Sequence, residues 1–113
     1  MIDSGQDLII AMRTQRTLLI DTVEAMKVIG RKLAEADFNY RVAFRKEVFR
    51  LHEIDGVAWT SCADLAKGDE VVGKLRFTRD VHKSDYACCL EKSYQVKTEL
   101  RILESEVKRE LGG

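Results

Sequence analysis

The residues best suited to acid-base chemistry in this chain are a carboxylate, a guanidinium and an imidazole, supplied by Asp37, Arg79 and His82. They lie on two separate helical stretches and converge only if those stretches pair side by side. Catalysis would also need a nucleophile, a pocket and a group that stabilises an oxyanion, and the pattern supplies none of these. We therefore expect a buried polar network that fixes the register of a helical seam, and no enzyme.

The histidines and cysteines do not have the spacing of a metal site. His52 and His82 are far apart, and Cys62, Cys88 and Cys89 lack the paired arrangement that zinc sites use. An odd number of cysteines, two of them adjacent, is typical of reduced thiols. We expect no metal, no other cofactor, no small-molecule substrate and a cytoplasmic location.

Two basic segments form the first surface feature. Residues 41–50 and 74–83 contain eight basic residues against two acidic ones, although nineteen of each cancel over the whole chain. Side by side, the two segments would form a continuous basic belt that binds nucleic-acid phosphates or acidic protein side chains. The plainer interpretation is a solvated charged face. The candidate binding residues are Arg41, Arg45, Lys46, Arg50, Lys74, Arg76 and Lys83.

The second surface feature is a set of apolar residues outside the predicted seams. Large exposed apolar clusters usually mark a further interface. We expect self-association into a helical bundle, which would bury faces that two helices leave open, with docking of a different protein as the alternative. The interface candidates are Phe38, Val42, Phe49, Phe77 and Val81.

The helices that position these groups are predicted from apolar spacing. Over residues 9–54 and again over 65–107, apolar positions recur at alternating intervals of three and four, and no proline interrupts them. We predict one domain over 1–113 with a helix over about 6–54, a hinge at 55–60 and a helix over about 61–111. The predicted seam includes Ile9, Val23, Met26, Leu33 and Leu51 in the first helix, and Leu65, Val72, Ser93, Val96, Leu100 and Leu103 in the second.

The hinge is predicted from local signals. Asp-Gly at 55–56 suits a helix end. Thr60 or Ser61 can cap the next helix, and Ser61 with Asp64 has the spacing of a capping box. A connector this short favours antiparallel neighbours. We therefore predict an all-α fold, a long antiparallel two-helix coiled-coil hairpin that assembles into a bundle. Whether Gly68 and Gly73 kink the second helix stays open.

No membrane partner is expected. No apolar run approaches the roughly 20 residues that a membrane span needs, and the first residues lack the pattern of a secretion signal.

Four short motifs resemble those of small helical-hairpin proteins from phages and prophages of Gram-positive bacteria. They are Asn-Tyr-Arg at 39–41, Asp-Gly at 55–56, the Ser/Thr-led segment at 60–66 and the Arg-containing segment at 76–80. The resemblance implies a small accessory phage protein of DNA replication or recombination that binds nucleic acid or a nucleic-acid enzyme. An inhibitor of a host defence nuclease is the alternative, and a structural coiled-coil protein is a further one. The implied location is the cytoplasm of the bacterial host.

Overall fold

The computed structural model describes residues 4–112, with the exception of the Ser4 side chain. These residues form three helices, α1 (Ser4–Glu53), α2 (Trp59–Lys67) and α3 (Glu70–Leu111), and no strand. The helices account for 93% of the described residues. The prediction of an all-α fold is confirmed.

Helix α1 ends close to the predicted position. Its last turn carries the basic residues Arg50 and His52, which complement the negative end of the helix dipole. The amide of Ile54 still donates to the carbonyl of Arg50 at 2.9 Å, and the amide of Val57 donates to the carbonyl of Leu51 at 3.0 Å. Between them Gly56 adopts φ 71°, so the left-handed residue that reverses the chain is the predicted glycine.

The second predicted helix, over about 61–111, is two helices. Helix α2 begins at Trp59 with Ala58 as its N-cap and has no side-chain cap, so the predicted cap by Ser61 and Asp64 is wrong. The first turn closes instead through the backbone, where the amide of Ser61 donates to the carbonyl of Ala58 at 2.9 Å.

The break between α2 and α3 lies at Gly68 and Asp69. Their amides donate to the carbonyls of Leu65 and Ala66 at 3.1 Å, which closes α2 with tight turns. The carboxylate of Asp69 then accepts the amide hydrogen of Val72 at 3.1 Å and caps α3. A helix end and a helix start therefore meet within two residues.

The described residues group into two compact units. The terminal unit contains residues 4–28 and 87–112, and the central unit contains residues 29–86. In the terminal unit Val96, Leu100 and Leu103 are buried, as the seam predicts. Thr22 and Ser93 are buried there as well, and their hydroxyl groups donate to carbonyls of their own helices at 2.7 Å, which removes the cost of burying them unpaired.

The core of the central unit gathers around the start of α2. Leu51, Cys62 and Ala66 are buried there, with Phe44, Val48 and Val57 packed against them. Leu65, which the predicted seam includes, is 52% exposed. Because the break at 68–69 sets the rotation of α2 separately from that of α3, the seam prediction is right from Val72 onward and wrong before it.

At two places on α1 the buried residue lies one position before the predicted seam residue. Thr22 and Ala36 are buried, whereas Val23 is 38% exposed. Leu51, in contrast, is buried at the position that the seam predicts.

Candidate binding surface

The predicted polar network is a half-exposed ion pair in the central unit. A carboxylate oxygen of Asp37 lies 3.7 Å from the guanidinium of Arg79, and their side chains are 33% and 25% exposed. His82 joins neither of them through a hydrogen bond or ion pair within residues 4–112, and instead lines a separate shallow groove with Lys32 and Glu35. The pairing of Asp37 with Arg79 therefore agrees with the prediction. The inclusion of His82 and the burial of the network are wrong, because Asp37 and Arg79 line a groove that is open to solvent.

Arg79 is held by three neighbours at once. Its guanidinium lies 4.5 Å from the centre of the Tyr40 ring, and it also pairs with Asp80 at 2.9 Å and with Asp37. Cation-π and charge contacts of this kind fix the orientation of the guanidinium plane. Arg79 is therefore held in place by contacts within this chain, and it lines an open groove in the central unit.

Three cations of the predicted basic belt are paired with acids of this same chain. Arg41 contacts Asp37 at 2.8 Å, and Lys74 contacts Glu70 at 2.9 Å. Arg50 is the most constrained, since it contacts Glu47 at 2.6 Å and Asp55 at 3.0 Å. Most of these pairs are four or three residues apart on one helix, a spacing that the sequence already displays.

The pairing also changes the acidity of Arg50. Its hydrogen bond to the Glu47 carboxylate, followed by the charge of Asp55, raises the pKa of the Arg50 guanidinium above its ordinary value. Arg50 is therefore held by its own helix end and is less available to a partner than the sequence predicts.

Four cations of the belt have no ion pair within the described part of the chain: Arg45, Lys46, Arg76 and Lys83. Arg45, Lys46 and Lys83 are exposed, and Arg76 is half-buried. All four lie in the central unit. They are the part of the predicted belt that can accept an anionic partner without first breaking a contact.

The predicted apolar interface falls into two sets. Phe38, Val42 and Phe49 line one open groove of about 1050 Å³, which we call the aromatic groove. Phe77 and Val81 do not line it and are 70% and 40% exposed.

Trp59 also lines the aromatic groove, although the interface predicted from the sequence does not include it. Its indole stacks on the His52 ring at a centroid distance of 3.7 Å and meets the Phe49 ring at 5.7 Å and a right angle. His52 is fixed in turn by a 2.8 Å hydrogen bond between its Nδ1 and the carbonyl of Val57. The available signal was the single tryptophan, which lies within the predicted hinge at 55–60. It is half-exposed in the structure, at 51%.

The cysteines and the other possible metal ligands form no further site in the described part of the chain. Cys62 is buried with its thiol against the carbonyls of Val57 and Ala58, and Cys88 and Cys89 are free thiols. In residues 4–112 no group of three or more histidine, cysteine, aspartate or glutamate side chains is arranged to hold a metal ion. No helix in that range combines the length and the apolar character needed to cross a membrane.

Searches against protein-family models, curated proteins and solved structures gave no match to this chain.

Proposed function

We propose that this chain is a non-catalytic binding protein that contacts nucleic acid, or an enzyme acting on nucleic acid, through the central unit. The observation that carries the proposal is the combination of four cations without an ion pair and an open groove of aromatic side chains on that unit. When unpaired cations bind nucleic-acid phosphates, the counterions condensed on the nucleic acid are released, which favours association. The same cations can pair with acidic side chains of a protein partner. In the phage setting that the sequence motifs imply, the role would be an accessory one in DNA replication or recombination.

The finer architecture that we propose is an antiparallel hairpin of α1 against α3. Two contacts within the central unit support it. A Cβ on Gly30 would lie 3.6 Å from the Tyr86 ring, and Asp37 pairs with Arg79, so the partner number falls as the α1 number rises. Self-association of such hairpins would bury apolar side chains that each unit leaves exposed.

An inhibitor of a host defence nuclease is the second candidate, and the aromatic groove favours it. Phosphate binding alone would not require Phe38, Val42, Phe49 and Trp59 to share one open groove, whereas a protein partner would bury them. In this form of the proposal the nucleic-acid enzyme itself is the partner.

Charge reversal tests the proposal. Replacing three exposed, unpaired cations at once (Arg45→Glu, Lys46→Glu and Lys83→Glu) should weaken binding by about tenfold or more, because several favourable charge contacts become repulsive. The measurement is an electrophoretic shift of single-stranded and duplex DNA at about 50 and about 200 mM salt, together with nuclease and polymerase assays of material co-purifying from bacterial lysate.

The matched control is Arg13→Glu with Lys92→Glu and Arg101→Glu, which reverses three exposed cations in the terminal unit and should leave binding unchanged. Equal losses in both variants would contradict the assignment to the central unit. A wild-type chain that neither shifts DNA nor retains such an enzyme would contradict the function itself.

A further inference from the structure

The aromatic groove is long enough to lie along about three turns of a partner helix. Its α1 wall contains positions 38, 42, 45 and 49 along one stripe and positions 40, 41, 44 and 48 beside that stripe, and its α2 wall contains positions 59, 63 and 67. The stripe on α1 and the set on α2 each recur every three or four residues, so each runs along one face of its helix. The α1 wall spans three turns, which is roughly 16 Å at 1.5 Å per residue.

The charge in the groove has one sign. Its lining includes Arg41, Arg45, Lys67 and Arg79 and contains no aspartate or glutamate. Arg41 and Arg79 are paired with acids that lie outside the lining, but Arg45 on the α1 wall and Lys67 on the α2 wall have no ion pair within residues 4–112. Each wall of the groove therefore carries one cation without an ion pair, alongside apolar lining residues.

We propose that the aromatic groove binds an acidic amphipathic helix of a partner protein. The apolar stripe of that helix packs against Phe38, Val42 and Trp59, and carboxylates on its flanks pair with Arg45 and Lys67. Binding of a helix with apolar side chains at i, i+4, i+7 and i+11 uses the spacing that the α1 wall displays. The inference rests on the proposed function and specifies the chemistry of its protein partner.

The ring geometry favours a helix over single-stranded nucleic acid. Base stacking needs free ring faces close together. One face of Trp59 is covered by His52, and the Tyr40 ring carries the Arg79 guanidinium. Phe44 also lines the groove but packs against the buried core. Phe38 and Phe49, at opposite ends of the α1 wall, are three helical turns apart, too far to hold successive bases.

Trp59 provides a direct readout, because it is the only tryptophan in the sequence and lies in the groove. The probes are three designed helical peptides with leucine at i, i+4, i+7 and i+11 and with flanks of glutamate, glutamine or lysine. Oligothymidylate is the nucleic-acid probe. We expect Trp59 fluorescence to shift on titration with the glutamate-flanked peptide at about tenfold lower concentration than with the lysine-flanked one, and binding to weaken with salt.

A charge swap tests the two walls. Arg45→Glu with Lys67→Glu should lose about tenfold in affinity for the glutamate-flanked peptide and should now prefer the lysine-flanked one. A merely unfolded variant would bind neither peptide, so the reversed preference separates a local effect from misfolding. The matched control is Arg13→Glu with Lys92→Glu, which reverses two exposed cations in the terminal unit, outside the groove, and should keep the wild-type preference.

Equal affinity for the glutamate-flanked and lysine-flanked peptides would overturn the inference, as would a fluorescence change with oligothymidylate that the peptides cannot compete away. If the peptides fail while DNA binding remains sensitive to Lys46 and Lys83, the proposed function stands and only the helical partner is wrong. If neither peptides nor DNA bind and no enzyme co-purifies, both fail together.

Discussion

Gly56 shows how a single residue sets the end of α1. It is the only residue in the described part of the chain with a positive φ, 71°, and nothing lies within 4 Å of where its Cβ would be. The demand for glycine there comes from backbone conformation and not from lack of space. Gly68 is the contrasting case, since its φ of −82° and ψ of −7° are right-handed and any residue can adopt them.

Replacement of these two glycines by alanine should therefore give different results. Gly56→Ala should lower the free energy of unfolding by about 1 kcal/mol, because a non-glycine residue is strained in the left-handed region. Gly68→Ala should leave it unchanged or raise it by a few tenths of a kcal/mol, since its Cβ would meet the Leu65 carbonyl at an ordinary 3.5 Å. Urea unfolding followed by circular dichroism, at one protein concentration, measures both. Similar effects of the two changes would refute this account of the hinge.

At the scale of elements, the break between α2 and α3 depends on a side chain. Asp69 follows the last turn of α2 and accepts the amide hydrogen of Val72 at 3.1 Å, which satisfies one of the free donors at the start of α3. Because of the break, α2 can rotate about its axis independently of α3. Cys62 and Ala66 are therefore buried in the core, whereas Leu65 is exposed.

Loss of this cap should destabilise the central unit measurably. Asp69→Ala should cost about 1 kcal/mol of unfolding free energy, because alanine offers no acceptor to the first turn of α3. Asp69→Asn is the control and should retain most of the stability, since its amide oxygen can accept the same hydrogen bond. Thermal and urea unfolding of the two variants give the comparison. An asparagine variant as unstable as the alanine variant would show that the carboxylate acts in some other way.

At the scale of the whole molecule, the balance between buried and exposed apolar side chains is unusual. Ten described residues are buried, and the largest side chain that is fully buried is Cys62. Sixteen large apolar residues are exposed in the same range, with Ile54 and Phe77 at 75% and 70%. A chain with so few large buried side chains gains little stability from its own core, and contacts with other molecules would add to it.

Because so many large apolar side chains are exposed, we expect the chain to self-associate through Phe77 and Val81. These residues are four positions apart on one face of α3, and they lie outside the aromatic groove. We expect the wild-type chain to sediment at a multiple of 12.9 kDa and to melt at a temperature that rises with concentration. Phe77→Ser with Val81→Ser should move the mass toward 12.9 kDa and remove the concentration dependence.

Ile54→Ser provides the control for sedimentation, because Ile54 is even more exposed than Phe77 but lies at the hinge. It should leave the mass unchanged. A wild-type mass of 12.9 kDa at every concentration would rule out self-association, and a mass change in the control would remove the assignment to α3.

Part of the candidate surface follows from residue spacing alone. Arg41 with Asp37, Arg50 with Glu47, and Lys74 with Glu70 are pairs three or four residues apart, a spacing that brings opposite charges together on any helix. The neutralisation of these three cations is therefore predictable from the sequence. The position of Trp59 is not, because its stacking on His52 depends on how the chain reverses at the hinge.

The sequence by itself determined the helical fold, the end of α1 shortly before Gly56 and the buried face of α3 from Val72 onward. These features follow from local causes, namely apolar spacing, the absence of proline and one left-handed glycine. Only the tertiary structure decided which face of α2 is buried, which acids neutralise Arg79, and that Phe38, Phe49 and Trp59 line one groove. The physical reason is that the break at 68–69 allows α2 to rotate about its axis independently of α3. The apolar spacing along the sequence does not specify the angle of that rotation.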